Sequence, residues 1–219
     1  MTWGFTGLGL IAALGYQAML GRPVGVLRST VKTGATLTLA LASLAAGAPI
    51  LLAIALALGA LGDFYLSRAG QGAFLKGVAA FALAHAVYIA LFVGLPGGAG
   101  LFALSIPGWV GVVSLLALAA STPVWLLPHA GPLKGPVAGY VAIITAMGIA
   151  ALHLAGEFLL VAIGAGLFLG SDLILSVHMF RLRADSLADR VARQLVWPLY
   201  WGGQALIAYG VARGAGVLL

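Results

Sequence analysis

The chain has 219 residues, of which 63% are hydrophobic and only 7% charged, whereas a soluble domain carries about a quarter charged residues. So few charges exclude a water-covered globule, and lipid must solvate most of the surface. A formal charge of +6 would suggest nucleic acid in a soluble protein, but here the basic residues fall between apolar runs and are better explained as topology signals; the lack of cysteine excludes disulfides, thiolate chemistry and sulfur-ligated zinc.

Apolar runs of about 17–25 residues are long enough to cross the hydrocarbon core, and candidates follow one another from end to end. The first, 3–20, has no basic start and is read as a span rather than a cleaved leader. Gly21-Arg22-Pro23 breaks it, and the second, 29–47, holds Lys32 just inside its start. Pro49 opens the third, 49–67, with Asp63 about one turn from its end. Arg68 to Gly72 separate this from the fourth, 74–95, where His85 and Tyr88 share a face nearer the middle. Pro96-Gly97-Gly98 precedes the fifth, 101–121, and Pro128 to Pro136 lead into the sixth, 133–152, which has Tyr140 two turns in. The seventh, 157–180, starts with Glu157, an acid suited to a helix N-terminus, and carries Ser171-Asp172 about two turns from its end. A polar stretch from Arg181 to Arg193 comes next. The eighth run, 195–213, has Tyr200 and Gln204 four apart and so on one face.

No alternation is seen in runs such as 50–61, and an open sheet cannot survive in lipid. The fold class predicted is therefore all-α: a polytopic bundle of about eight transmembrane helices in one domain over 1–219. Thirty-two glycines suit such a bundle, because small residues let helix backbones approach closely. The positive-inside rule supplies the orientation. Odd-numbered connections hold Arg22, Arg28, Arg68, Lys76, Lys134, Arg181, Arg183, Arg190 and Arg193; even ones hold no Lys or Arg, and the tail holds only Arg213. Both termini are expected outside, with the basic side in the cytoplasm. The chain is expected in a cell membrane, the bacterial inner membrane fitting best.

Ionised groups in the bilayer are costly, about 2.5–3.5 kcal/mol at the centre on insertion scales, and tend to face the bundle interior for a purpose. Asp63 and Asp172 stand out. The structural alternative is that such an Asp caps a broken helix or pairs with Lys32. Six helices bring polar groups to one slab nearer the cytoplasm, and this shared depth favours a site. The tryptophans Trp3, Trp109, Trp125, Trp197 and Trp201 read mostly as an interfacial belt, and His129 and His153 as connection residues. His178 is open to either reading. Asp63 and Asp172 also share an Asp-x-x-Leu-Ser pattern, a hint of a duplicated four-helix unit.

With Lys32, Gly62-Asp63, Leu66, Gly77, Ala80-Phe81, Ala84-His85, Tyr88, Tyr140, Ser171-Asp172, Tyr200 and Gln204 in this order from about 28 to 207, the sequence resembles the YhhN family of membrane lysoplasmalogenases. Its one departure is Thr33 after Lys32, where the family pattern has proline. The resemblance implies hydrolysis of a lysoplasmalogen vinyl ether to a fatty aldehyde and a glycerophospho-base. Asp63 and Asp172 would be catalytic, dividing the work of acid and counter-charge as glycosidase carboxylates do, with their roles left open. Lys32, His85, Tyr88, Tyr140, Ser171, Tyr200 and Gln204 would bind substrate, Lys32 meeting its phosphate. A lysophospholipid and membrane lipids are the expected partners, with no nucleic acid, metal or cofactor. The rival readings are a ceramidase-like zinc amidase on Asp63, His85 and Asp172, a proton-coupled transporter, and a non-catalytic lipid-binding protein. No Gly-x-Ser-x-Gly supports a serine hydrolase, although Ser171 beside Asp172 keeps one open.

Overall fold

The structure, a computed structural model, describes residues 2–23, 25–96, 104–154 and 158–219, with Thr2 and Trp3 as backbone only. The Trp3 side chain, Gly97, Gly98 and Glu157 lie outside the described residues. Among those described, the regular elements are all helical: α1 (Thr2–Ala18), α2 (Val26–Ala45), α3 (Ile50–Leu66), α4 (Gln71–Gly94), α5 (Ile106–Trp125), α6 (Lys134–Leu152), α7 (Leu159–Phe180) and α8 (Leu187–Gly214). Two 3-10 turns, Leu127–His129 and Gly131–Leu133, carry the chain from α5 to α6. Four stretches among the described residues are long and apolar enough to cross a membrane: α4, α5, Gly131–Leu152 and α7. The apolar α3 is shorter, at 17 residues. This is a multi-pass membrane protein.

Local chemistry sets the helix ends. After α2 the chain turns at Gly47 in a left-handed conformation (φ 73°), and Ala48 N–H reaches back to Ser43 O at 3.0 Å. That is the six-to-one closure of a glycine-ended helix, and Pro49 then starts α3. α8 begins eight residues earlier than its apolar run, because Ser186 caps it: Ser186 Oγ accepts from Asp189 N–H at 3.1 Å. The stretch from Arg181 to Arg193, read from sequence as a connection, is thus half helix. Prolines 123 and 198 lie inside α5 and α8 without ending them.

Neighbouring helices in the chain pack side by side from α1 to α4; α6 bridges α4 to α7, and α8 closes against α7 on one side and α1, α2 and α3 on the other. α5 packs mainly on α6 and is largely turned outward. Lipid tails are as apolar as leucine, so close packing must hold these helices together. The tightest approach joins α7 and α8, where a Cβ on Gly164 would stand 2.6 Å from Gly203 O, and one on Gly203 2.7 Å from Gly164 O. The middle of the ring is aromatic. Phe168, fully buried, lies edge-on to His85 at 4.8 Å and Tyr200 at 5.1 Å between ring centres.

Two tryptophans expected at the interface belong to this interior instead. Trp197 is buried, lies tilted at 60° against the Tyr16 ring and donates Nε1–H to Ala13 O at 3.0 Å; Trp201 donates to Ala35 O at 3.0 Å. Both join α8 to its neighbours across helix backbones.

Candidate active site

The polar residues singled out from sequence fall on the buried faces of their helices. α4 buries Gly77, Ala80, Phe81, Ala84, His85, Tyr88, Leu91 and Phe92, a three–four alternation that makes one stripe. Asp63 belongs to the buried stripe of α3, Ser171 to that of α7, and Tyr200 and Gln204 to that of α8. An apolar helix face in lipid needs no partner, whereas a polar group does. The bundle interior therefore collects them.

Asp63 of α3 is 1% exposed, and side chains from two other helices, α2 and α8, converge on its carboxylate. Lys32 Nζ from α2 stands 3.0 Å from Oδ1, an ion pair too oblique to count as a hydrogen bond. Thr36 Oγ1, one turn further along α2, donates to Oδ2 at 2.8 Å, and Tyr200 Oη from α8 donates to the same oxygen at 2.9 Å. Behind Tyr200 the chain of donors continues: Gln204 Nε2 reaches Tyr200 Oη at 3.5 Å, and Tyr88 of α4 donates to Gln204 Oε1. Gly59 makes room for this convergence, since a Cβ there would lie 2.7 Å from Gln204 Nε2 and 3.3 Å from Tyr200 Oη. Lys32 also sits 5.9 Å from the ring centres of both Tyr16 and Trp197, whose faces attract a cation.

Asp172 has a different setting. Tyr140 Oη of α6 donates to its Oδ2 at 2.7 Å, and His85 Nε2 of α4 lies 3.7 Å from the same oxygen. The other ring nitrogen of His85, Nδ1, is 2.6 Å from Phe81 O. A carbonyl only accepts, so Nδ1 carries a hydrogen and donates it. In the neutral ring Nε2 is then an acceptor facing a carboxylate oxygen, buried and without a hydrogen-bond partner. The two atoms face each other at 3.7 Å, beyond hydrogen-bond distance.

Both carboxylates line a single cavity of about 730 Å³, within the usual range for a small-molecule site. Each helix contributes the part nearer the odd-numbered connections: Tyr16 of α1, Arg28 of α2, Leu66 of α3, Phe74 of α4, Trp125 of α5, Val137 of α6, His178 of α7 and Arg190 of α8 are all on its wall. Arg28, Arg190 and Arg193 also line it. Val78, Leu115, Leu118, Val141 and Leu169 build an apolar wall elsewhere. The slab inferred from residue depth is thus a chamber on one side of the bundle.

Of the residues proposed from sequence, Lys32, Asp63, Tyr140, Ser171, Asp172 and Tyr200 line the cavity; His85, Tyr88 and Gln204, all 0% exposed, stand behind its wall. Ser171 Oγ donates to Val196 O at 2.9 Å, linking α7 to α8. Lys32 is paired to Asp63 rather than standing free for a phosphate. Among the described residues no three His, Asp or Glu side chains come together as a metal-ligand set.

Some partners were passed over in the sequence. Thr36 carried a signal, since it follows Lys32 by one turn on the same face. Asp189 carried one in Ser186-x-x-Asp189. His178 Nδ1 lies 2.7 Å from Asp189 Oδ1, and Arg193 Nη2 2.8 Å from Asp189 Oδ2, so the end of α7 is clasped to the start of α8. Burial opposes charge on Asp189, yet the Asp185 N–H, Arg193 and His178 prevail and hold its carboxyl below the ordinary carboxylate range. Arg181 donates to the His129 ring at 2.6 Å, tying α7 to the α5–α6 turn.

The profile of the YhhN family matches residues 27–211. Two relatives carry the name lysoplasmalogenase, from Mycobacterium bovis and Mycobacterium tuberculosis; each is 32% identical over 163 residues, 73% of this chain. The match spans 59% of each relative's own length. No solved structure matches the chain closely.

Proposed function

The chain belongs to the YhhN family, and from that premise we propose that it hydrolyses the vinyl ether bond of lysoplasmalogen-type lysophospholipids to a fatty aldehyde and a glycerophospho-base. The observation that carries this reading is one chamber lined by both carboxylates, by arginines and by apolar side chains. A single-chain phospholipid has three parts to match: an ether bond, a phosphate and an apolar chain. The name of the two mycobacterial relatives points to the same substrate class.

The reaction needs a proton delivered to the outer vinyl carbon, a charge opposite the oxocarbenium ion that forms, and water to add to it. Asp172 suits the first task. With His85 Nε2 facing it, Asp172 holds one proton, which it donates to carbon. Asp63 suits the second: the Lys32 ammonium pairs with one oxygen while Thr36 and Tyr200 donate to the other, as they would to a carboxylate. Water then adds to the cation and returns a proton to Asp172, and the hemiacetal collapses to aldehyde and alcohol. Tyr140 holds Asp172 in place, while Tyr88 and Gln204 position Tyr200. Access from one side of the chamber suits a hydrolase better than a transporter, which must open to both faces.

This reading includes an eight-span topology with both termini outside and the arginine-rich ends in the cytoplasm of the cell membrane. Its test is the rate of aldehyde release from a 1-alkenyl lysophospholipid by purified variants. Asp63→Asn and Asp172→Asn should each lose at least ~100-fold, the low end for a general acid or base. The losses should not add in the double variant, because both act on one transition state. A well-folded single variant with near-parental rate would remove that carboxylate from the mechanism.

A further inference from the structure

We propose that Arg28 and Arg190, both on the lining of the cavity, form a phosphate subsite that takes the head-group phosphate of a single-chain phospholipid. The inference rests on the hydrolase reading and adds which end of the substrate is gripped, and by what.

Four cations line the cavity: Arg28, Lys32, Arg190 and Arg193. Two have acidic partners. Lys32 pairs with Asp63 at 3.0 Å, and Arg193 lies 3.3 Å from Asp185 and 2.8 Å from Asp189. The other two have none among the described residues. Arg28 Nη1 donates to Arg22 O at 2.6 Å and its guanidinium lies 5.5 Å from the Tyr16 ring centre, both neutral groups. Arg190 makes no side-chain hydrogen bond or ion pair among the described residues. Two uncompensated guanidinium groups on the lining of one cavity raise the potential there and call for an anion. Their planar donor forks match phosphate oxygens better than an ammonium does.

Register connects these arginines to the chemistry. Arg28, Lys32 and Thr36 recur every four residues on α2, and Arg190, Gln194, Trp197 and Tyr200 follow at four, three and three on α8, so each helix presents a stripe from an arginine to a donor on Asp63. The three glycerol carbons between ether oxygen and phosphate reach about as far as two side chains one turn apart, ~5–6 Å. The donors on Asp63 stand about 12 Å along α2 from Arg28 and about 15 Å along α8 from Arg190, so the glycerol unit together with the inward reach of the arginine side chains spans from a bound phosphate to an ether bond near the carboxylates, with the chain against the apolar wall. A free phosphate would use only the arginines and leave that wall empty.

The test uses the full chain in zwitterionic vesicles and compares two substrates, a 1-alkenyl lysophosphatidylcholine and the phosphate-free 1-alkenylglycerol. For Arg28→Met and Arg190→Met, the ratio of kcat/KM between them should fall about 10-fold each through KM, as expected for one charge-assisted hydrogen bond. Arg190→Lys should fall less. Equal losses on both substrates would make the arginines structural and overturn the subsite. A loss seen only when phosphatidylglycerol is added to the vesicles would assign them to the bilayer surface instead, also overturning it. If the parent hydrolyses neither lipid, equilibrium binding of the stable 1-alkyl lysophosphatidylcholine and 1-alkylglycerol reads the same contrast. Arginine-dependent preference for the phosphate would then uphold the subsite though the hydrolase reading had failed.

Discussion

Lys32 is the residue whose surroundings depart most from its sequence-based role. Read alone, a lysine at the start of a span looks free to meet a phosphate; in the bundle it neutralises Asp63 between two aromatic rings. Removing one partner of a buried pair leaves the other charge uncompensated, at a cost of about 3–5 kcal/mol. Lys32→Met should therefore lower the unfolding stability by about that much, and Lys32→Met with Asp63→Asn should recover most of the loss. Equal stability of Lys32→Met and parent in detergent unfolding would contradict the pairing. Asp63, Asp172 and Lys32 stood out in the sequence because a charge in an apolar run needs a partner or a purpose. Thr36, Tyr16 and Phe168 did not, since hydroxyls and rings are ordinary in membrane helices and only the fold reveals what they face. The tyrosine and glutamine roles were legible in part: depth put Tyr88 and Gln204 near the site, but not behind Tyr200.

Helix pairs answer to a different chemistry. The α7–α8 contact depends on Gly164 and Gly203, each within 2.7 Å of the other's carbonyl oxygen if given a Cβ. Gly164→Val should force the pair apart and destabilise the bundle by about 1–3 kcal/mol or more, while Gly166→Val, with nothing within 4 Å of its Cβ, should be tolerated. Thermal unfolding of the two in the same detergent checks this contrast, and equal midpoints would contradict it. Where the end of α7 meets the start of α8, the Asp189 clasp is sensitive to acid. Its folded carboxyl is held below its unfolded value, so its contribution is present above the unfolded value and lost as pH falls through the folded one. The hydrogen-exchange protection of 187–193, relative to the intrinsic rate at each pH, should fall on acidification in the parent and be low already at neutral pH in Asp189→Asn. Helix existence was legible from run length, because lipid imposes it. The start of α8 was not, because its first two turns are polar and a cap, rather than hydropathy, defines them.

Viewed whole, the bundle has a polar half and a plain one. The basic connections lie at the same end as the cavity, and the charge bias along the sequence anticipated this, since orientation signals and the chamber share one side. Reporter fusions after Pro96 and at the C-terminus should report the outside and one after Asp185 the cytoplasm; the reverse pattern would overturn the orientation. The cavity itself was legible only as a common depth of polar residues. Its apolar wall on α4 to α7 is spelled with the same leucines and valines that face lipid elsewhere, and nothing in the sequence separates the two. The central claim is that Asp172 in this chamber protonates a vinyl-ether carbon. The most direct measurement is hydrolysis of a 1-alkenyl lysophospholipid in deuterium oxide, with the aldehyde trapped as it forms and weighed by mass spectrometry. The account predicts one deuterium on the carbon next to the aldehyde carbon, formed at least ~100-fold more slowly by Asp172→Asn; an aldehyde without deuterium, a fatty acid in its place, or a near-parental rate in that variant would contradict it.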